Sequence, residues 1–212
     1  MRFTQEQRET LFSIIKARRD VRGNRFLNKN IPKEVLNKIL LSANYAPSVG
    51  FSQPWRFVII ENEKTKQNIH KNFQKENYKA KKIFKDSKDY EKLKLEGIKE
   101  APLNIAVLYK KPKKNVLGQT SQKKMGEYST VCAIQNMWLT ARTLDVGMGW
   151  ISILKAKKVK KIIGLDKKQR DDYKLVGYFA LGYVDKFYDK PELEKLKWED
   201  KKSLDEVILD WV

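Results

Sequence analysis

From Tyr128 to Leu144 the chain reads as a helix that is apolar nearly all the way round, through Val131, Cys132, Ala133, Ile134, Met137, Trp138, Leu139 and Ala141. A helix with that profile has to be buried on most of its sides, so it is expected to be the central helix of the core. A 212-residue chain of this kind is one ordinary domain, with or without appended arms. At this length roughly 70% of the unfolded surface is buried on folding, so neither disulfides nor metals are required. The single Cys132 cannot form an intramolecular bridge. Within an apolar helical run it is expected to be a buried thiol in a reducing cytoplasm. The first residues, Met1 to Glu6, carry no signal-peptide pattern, and no apolar run approaches the ~20 residues of a membrane span.

The other elements follow from caps, breakers and periodicity. Thr4 with Gln7 resembles a capping box, opening a helix through Leu11, Phe12 and Ile15 to about Ala17. Pro32 suits the first turn of a second helix, whose face is Val35, Leu36, Ile39, Leu40 and Ala43. Arg56 to Glu61 is a short β-rich run. Lys64 to about Tyr90 is lysine-rich and weakly amphipathic, and predicts one or two surface helices. Continued by Lys94 to Glu100, it makes residues 64–97 a candidate lid. Pro102 breaks it before a strand from Asn104 to Tyr109, and 110–127 is loop. Gly147 stands where a helix ends, with a strand starting at Gly149. A short helix from Val159 to Ile163 and a long buried strand from Leu175 to Val184 follow. The tail, 185–212, with Trp198 and Trp211, reads as an arm wrapping a partner subunit. No internal repeat or domain boundary is visible, so 1–212 reads as a single domain.

A formal net charge of +19 invites a nucleic-acid reading, because phosphate neutralisation drives non-specific binding. The lysines, however, are spread through most of the chain and mixed with acids, as in Glu192-Leu193-Glu194-Lys195. That is the pattern of solvated helix faces, and no specific nucleic-acid partner is expected.

Two segments carry the chemistry. Ala46-Pro47-Ser48-Val49-Gly50-Phe51-Ser52-Gln53-Pro54-Trp55-Arg56-Phe57 is neither a regular helix nor a regular strand. Its prolines fix φ and remove donors, and Gly50 permits dihedrals other residues avoid. Such a rigid loop offers backbone amides and short side chains to a ligand; the alternative is a helix-to-strand connection with Trp55 in the core. Upstream, Arg18-Arg19-Asp20-Val21-Arg22 gathers three guanidinium forks, which pair bidentately with phosphate. The alternative there is a basic helix end favoured by the helix dipole. Together the segments point to a phosphorylated, ring-containing cofactor. His70 lies in the lysine-rich stretch and is expected to be exposed. One His and one Cys make no zinc cluster and no Cys/His triad, so the chemistry is carried largely by a cofactor.

These segments, together with Leu95-Glu96-Gly97-Ile98, Tyr128 to Asn136, Gly149-Trp150-Ile151-Ser152-Ile153, Leu181 to Asp185 and Pro191-Glu192-Leu193-Glu194, resemble the nitroreductase-like flavoprotein superfamily. More narrowly they resemble its 5,6-dimethylbenzimidazole synthase (BluB) group. Asp20 within the arginine cluster, the Pro-Ser-Val-Gly spelling and Ser152 after Gly-Trp carry the narrower likeness. The resemblance implies an α+β three-layer αβα sandwich with a mixed central sheet, an intertwined homodimer, and FMN bound at the dimer interface. It places Arg18, Arg19 and Arg22 on the phosphate and the pyrimidine edge, and Pro47, Ser48 and Gly50 along the isoalloxazine. Leu95, Gly149 and Trp150 are the remaining contacts. Reduced FMN is then the substrate, fragmented with molecular oxygen to 5,6-dimethylbenzimidazole, the lower ligand of cobalamin. Asp20 and Ser152 match the group's two functional residues: a carboxylate to remove a proton beside the ring and a hydroxyl to orient the ribityl chain. A lid would exclude water and leave little room for a nicotinamide, so reduced FMN would come from a separate NAD(P)H-dependent flavin reductase. The alternative is an FMN-dependent NAD(P)H nitroreductase. One departure from the pattern is Leu117-Gly118-Gln119, where the group has Leu-Gly-Arg.

Overall fold

The computed structural model describes residues 1–85, 87 and 89–210. Helices α1 (Gln5–Ala17) and α2 (Lys33–Asn44) precede strand β1 (Trp55–Ile60), helix α3 (Glu63–Ile83) and strand β2 (Leu103–Lys110). Helix α4 (Met125–Thr143), strand β3 (Val146–Trp150), helices α5 (Ala156–Ile162) and α6 (Lys167–Asp172), strand β4 (Tyr173–Tyr183) and the short α7 (Glu192–Lys195) follow. Thr4 caps α1 in a reciprocal capping box with Gln7. Asn62 caps α3 by accepting from the Thr65 amide.

The strands form one sheet in the order β1-β2-β4-β3. Alternation along the central strands separates two cores. Ile105, Val107, Phe179 and Leu181 face α2 and α4, together with Ile39, Ala133, Met137 and Trp138. Ala106, Tyr178 and Ala180 face the other way, onto Ile69, Phe73 and Val159 of α3 and α5. With helices over both faces, β2 is buried along nearly its whole length. These are the three layers of the expected α+β sandwich. The sheet corrects one detail: all its ladder pairings are antiparallel. Among the described residues the parallel pairing that a mixed sheet requires is confined to a single bridge, Asp20 to Met148.

Several local expectations are corrected. Helix α4 supplies the core through Ala133, Ile134, Met137, Trp138 and Ala141, yet Tyr128, Val131 and Cys132 are exposed on its opposite face. Gly147 is not the helix end. The turn falls at Asp145, whose φ is +56°, and Gly147 already lies in β3, where a Cβ would meet Val184 and Val21. The lysine-rich stretch forms one 21-residue helix, and its first half is anchored by buried Lys66, Ile69, Asn72 and Phe73. Lys66 Nζ donates to the Ala101 carbonyl at 2.9 Å and pairs with Glu63 at 2.6 Å, so this lysine is not solvated. His70 is largely buried, 3.7 Å from Glu96. Residues 86 and 88 of the expected lid, and Trp211 in the expected arm, lie outside the described residues. Among the described residues no helix is long and apolar enough to cross a membrane.

Candidate active site

Where α1 ends at Arg18 the backbone turns extended, and the next residues cross the edge strand β3. The Val21 amide donates to the Met148 carbonyl at 3.2 Å. The crossing is close enough that a Cβ on Gly149 would fall on the Val21 carbonyl oxygen. Gly149, expected as a cofactor contact, is thus required by packing. The Trp150 amide, one residue on, donates to Asp20 Oδ1 at 2.9 Å, while Asp20 Oδ2 forms an ion pair with Arg22. Arg22 also donates to the Trp150 carbonyl at 2.8 Å and the Leu95 carbonyl at 3.3 Å.

Arg18, Arg19, Asp20, Arg22 and Leu95 line one cavity of about 170 Å³, closed by Leu93, Lys94, Pro191, Glu192, Leu193 and Leu196. Burial pushes the Asp20 carboxyl above its ordinary range, while Arg22, the Trp150 amide and Arg18 oppose the shift. Burial also raises Glu192, with Arg22 opposing and the Asp20 charge adding to the rise. A carboxyl held upward in pKa beside cations is a base of higher proton affinity than a solvated aspartate. Of the lining residues that sequence reasoning passed over as site residues, Glu192 is the carboxylic acid. Its only signal was the Pro191-Glu192-Leu193-Glu194 segment among the resembling stretches.

The three arginines are not equivalent. Arg19 donates to the carbonyls of Lys16, Arg18, Tyr188 and Asp189, and burial, then neighbouring Arg18 and Arg142, lowers its pKa. Arg22 is spent on Asp20 and two carbonyls. Arg18 lies over the Trp138 ring at 4.8 Å, and among the described residues no hydrogen bond or ion pair engages its guanidinium. It is the cation available to an anion.

The proline loop is a separate structure. The Val49 amide donates to Ser129 Oγ at 3.0 Å, and Ser129 in turn donates to the Met125 carbonyl. The Gln53 amide donates to Ser48 Oγ at 3.1 Å. Trp55 is in the core, its indole N–H on Asn44 Oδ1 at 2.9 Å. Gly50, Phe51 and Gln53 have φ of +53°, +50° and +36°. Left-handed dihedrals at two non-glycine residues are strain of the kind that gathers at ligand-contacting loops. Val116 and Leu117 pack against Gly50, and Gln119 holds that loop by donating to Tyr109 Oη and the Lys123 carbonyl. Phe51 projects into solvent at 87% exposure, and Pro47 is exposed.

Within one protomer these two structures do not meet. The proline loop enters β1 at one edge of the sheet, and Asp20 abuts β3 at the other. Trp55 lies level with Tyr109 and Lys174, whereas Trp150 pairs with Phe179. Three strand spacings and about five residues of strand separate them by roughly 20 Å, too far for one three-ring system to touch both. Pro47, Ser48 and Gly50 are thus not brought to the arginine cavity. Ser152 follows β3, exposed and outside the cavity's lining.

The Nitroreductase family model matches residues 15–183 of this chain, from the end of α1 to the end of β4. The chain belongs to that family. It is 34% identical to the 5,6-dimethylbenzimidazole synthase of Rhodospirillum rubrum, over 92% of each chain. A BluB-like flavoprotein from Clostridium difficile superposes with a TM-score of 0.70 at 20% identity, covering 95% of this chain and 99% of the other. An iodotyrosine deiodinase bound to FMN and 3-iodo-L-tyrosine superposes equally well at 23% identity, covering 95% and 98%.

Proposed function

We propose that this protein fragments reduced FMN with molecular oxygen to 5,6-dimethylbenzimidazole. The observation that carries the reading is Asp20: a carboxyl raised in pKa by burial, fixed by the Trp150 amide and Arg22, and flanked by the unengaged Arg18 guanidinium. The 34% identity to a dimethylbenzimidazole synthase supports it.

The donor set fits FMN: Arg18 offers a cation for the phosphate, and Arg22 a cation near a ring that becomes anionic on reduction. Reduced FMN supplies both the ring that becomes the product and the electrons that oxygen takes. Asp20 removes the proton from the ribityl carbon beside the ring, since each carboxylate oxygen keeps a lone pair beyond its existing partner. Ser152, outside the lining of the one-protomer cavity, would orient the ribityl chain only in a site extended past β3. Leu93 to Leu95 close the pocket from one side and exclude water there.

The site is completed by a second copy of the chain. One protomer holds about 170 Å³ around the arginines, less than the ~300–1,000 Å³ usual for ligand sites. A two-fold partner would present its Pro47-Ser48-Gly50 loop to this pocket. Leu11, Phe12 and Ile15 of α1, and Tyr128 and Val131 of α4, are apolar and exposed in the protomer, as an intertwined homodimer needs. The enzyme works in the cytoplasm, with reduced FMN delivered by a separate flavin reductase.

A second reading, an NAD(P)H-dependent nitroreductase, rests on Gln119, which stands where the resemblance expects arginine and is tied to Tyr109 and Lys123. Incubation with reduced FMN in air, followed by mass spectrometry, decides between them. Dimethylbenzimidazole is expected. Its absence, with NADPH oxidised against a nitroarene, would establish the second reading.

A further inference from the structure

The pocket's outer wall comes from chain positions far from the arginines, and one side chain ties the two together. Arg19 Nε donates to the Tyr188 carbonyl at 2.9 Å, and Nη2 to that of Asp189. Its Nη1 donates to the carbonyls of Lys16 at 2.8 Å and Arg18 at 2.7 Å. The last carbonyls of a helix lack partners within it, so Arg19 caps the end of α1 and pins residues 188–189 with the same group. A guanidinium has five N–H donors. With four carbonyls served, no free fork remains for a phosphate. The guanidinium of Arg18, its neighbour in sequence, is engaged among the described residues only with the Trp138 ring.

From the pinned point the chain runs directly over the cavity, contributing Pro191, Glu192, Leu193 and Leu196 to its lining. Other contacts steady the same stretch. Arg25 lies 4.3 Å and Lys195 4.4 Å from the Tyr188 ring centre. Beyond the cavity, Trp198 packs on Phe84 and Tyr90 at 5.8 and 6.3 Å, joining the stretch to the end of α3.

We propose that Arg19 is a positioning residue, the clasp that holds residues 188–196 down as a wall of the arginine pocket, while Arg18 keeps the phosphate role already given to it. The role of Arg18 rests on the FMN reading; the clasp does not.

The test compares full-length Arg19→Ala and Arg18→Ala with the wild type. Amide hydrogen exchange of 188–196 is measured without ligand, and FMN and riboflavin, which lacks the phosphate, are titrated by fluorescence. Arg19→Ala is expected to speed exchange of 188–196 about tenfold or more, as loss of hydrogen bonds from a charged donor predicts, while β2 stays protected. It should weaken FMN and riboflavin by the same factor. Arg18→Ala should leave exchange unchanged and weaken FMN about tenfold with riboflavin held within about twofold. Unchanged exchange in Arg19→Ala, or selective loss of FMN over riboflavin in that variant, overturns the proposal. If β2 also loses protection, Arg19→Lys replaces it, since one ammonium cannot face both pairs of carbonyls. Should the wild type bind neither flavin, the FMN reading fails, and the exchange comparison still decides the clasp.

Discussion

The two segments that carry the chemistry are built on opposite principles. At the β3 edge charge sets the geometry: Asp20 and Arg22 pair with each other, Arg22 and Arg19 donate to nearby carbonyls, and Arg18 is left open. At the β1 edge no ion pair among the described residues fixes the loop. Ser48, Ser129 and Val116 hold a backbone with three left-handed residues in the four from Gly50 to Gln53. One half is an electrostatic cradle and the other a preset shape. In a proposed two-fold dimer they would be halves of one site contributed by different copies.

The largest expected effect breaks the cradle. Asp20→Asn keeps the side-chain volume and the Trp150 contact but removes the base. Dimethylbenzimidazole formation should fall by about 10²–10⁴-fold, with FMN affinity within several-fold of wild type by fluorescence titration. Undiminished turnover would remove Asp20 from the chemistry.

Next, the pairing of halves can be tested by complementation. Gly50→Val puts a branched side chain at φ +53° and against Val116, and should inactivate the loop half. Co-expressed Asp20→Asn and Gly50→Val chains should regain about one quarter of wild-type activity. Half the dimers are then mixed, and each mixed two-fold dimer holds one intact site. Activity no greater than that of the separate variants would place both halves in one protomer.

A smaller effect concerns pH. The folded-state pKa of Asp20 is raised, so folding favours its protonated form. That preference contributes fully below the unfolded carboxylate pKa of about 3.9 and fades as pH rises through the folded value. Asp20→Asn abolishes the titration. The melting temperature of the variant relative to wild type should therefore climb as pH is raised from about 4, and a flat difference would contradict the burial. Smallest of all, Trp55→Phe removes the bond to Asn44 and should cost about 1 kcal/mol in urea denaturation, loosening the loop's exit without touching the cradle.

Much of this was legible in the sequence, for identifiable reasons. The apolar face of α2 and the capping box at Thr4 are local signals that tertiary packing did not override. Proximity of Arg18, Asp20 and Arg22 needed only adjacency along the chain. What stayed hidden depended on distant partners. Lys66 reads as solvated because nothing local announces the Ala101 carbonyl waiting for its ammonium. The outward face of α4 is apolar in sequence exactly as the inward face is, so periodicity could not tell core from exposed surface. Arg18 and Arg19 are identical letters side by side. Only the carbonyls at 188 and 189 distinguish them. Glu192 and its neighbours lie some 170 residues from the arginines they face, beyond any pattern-based reading.

That long separation has a bearing on how the protein is made. Arg19 and Asp189 are 170 positions apart, so a chain emerging from the ribosome shows its cationic cluster long before the covering stretch exists. Contacts this distant carry the largest loop-closure cost and form late. A nascent chain therefore carries uncovered arginines until residues 188–196 have been synthesised, and gains its finished binding surface only then.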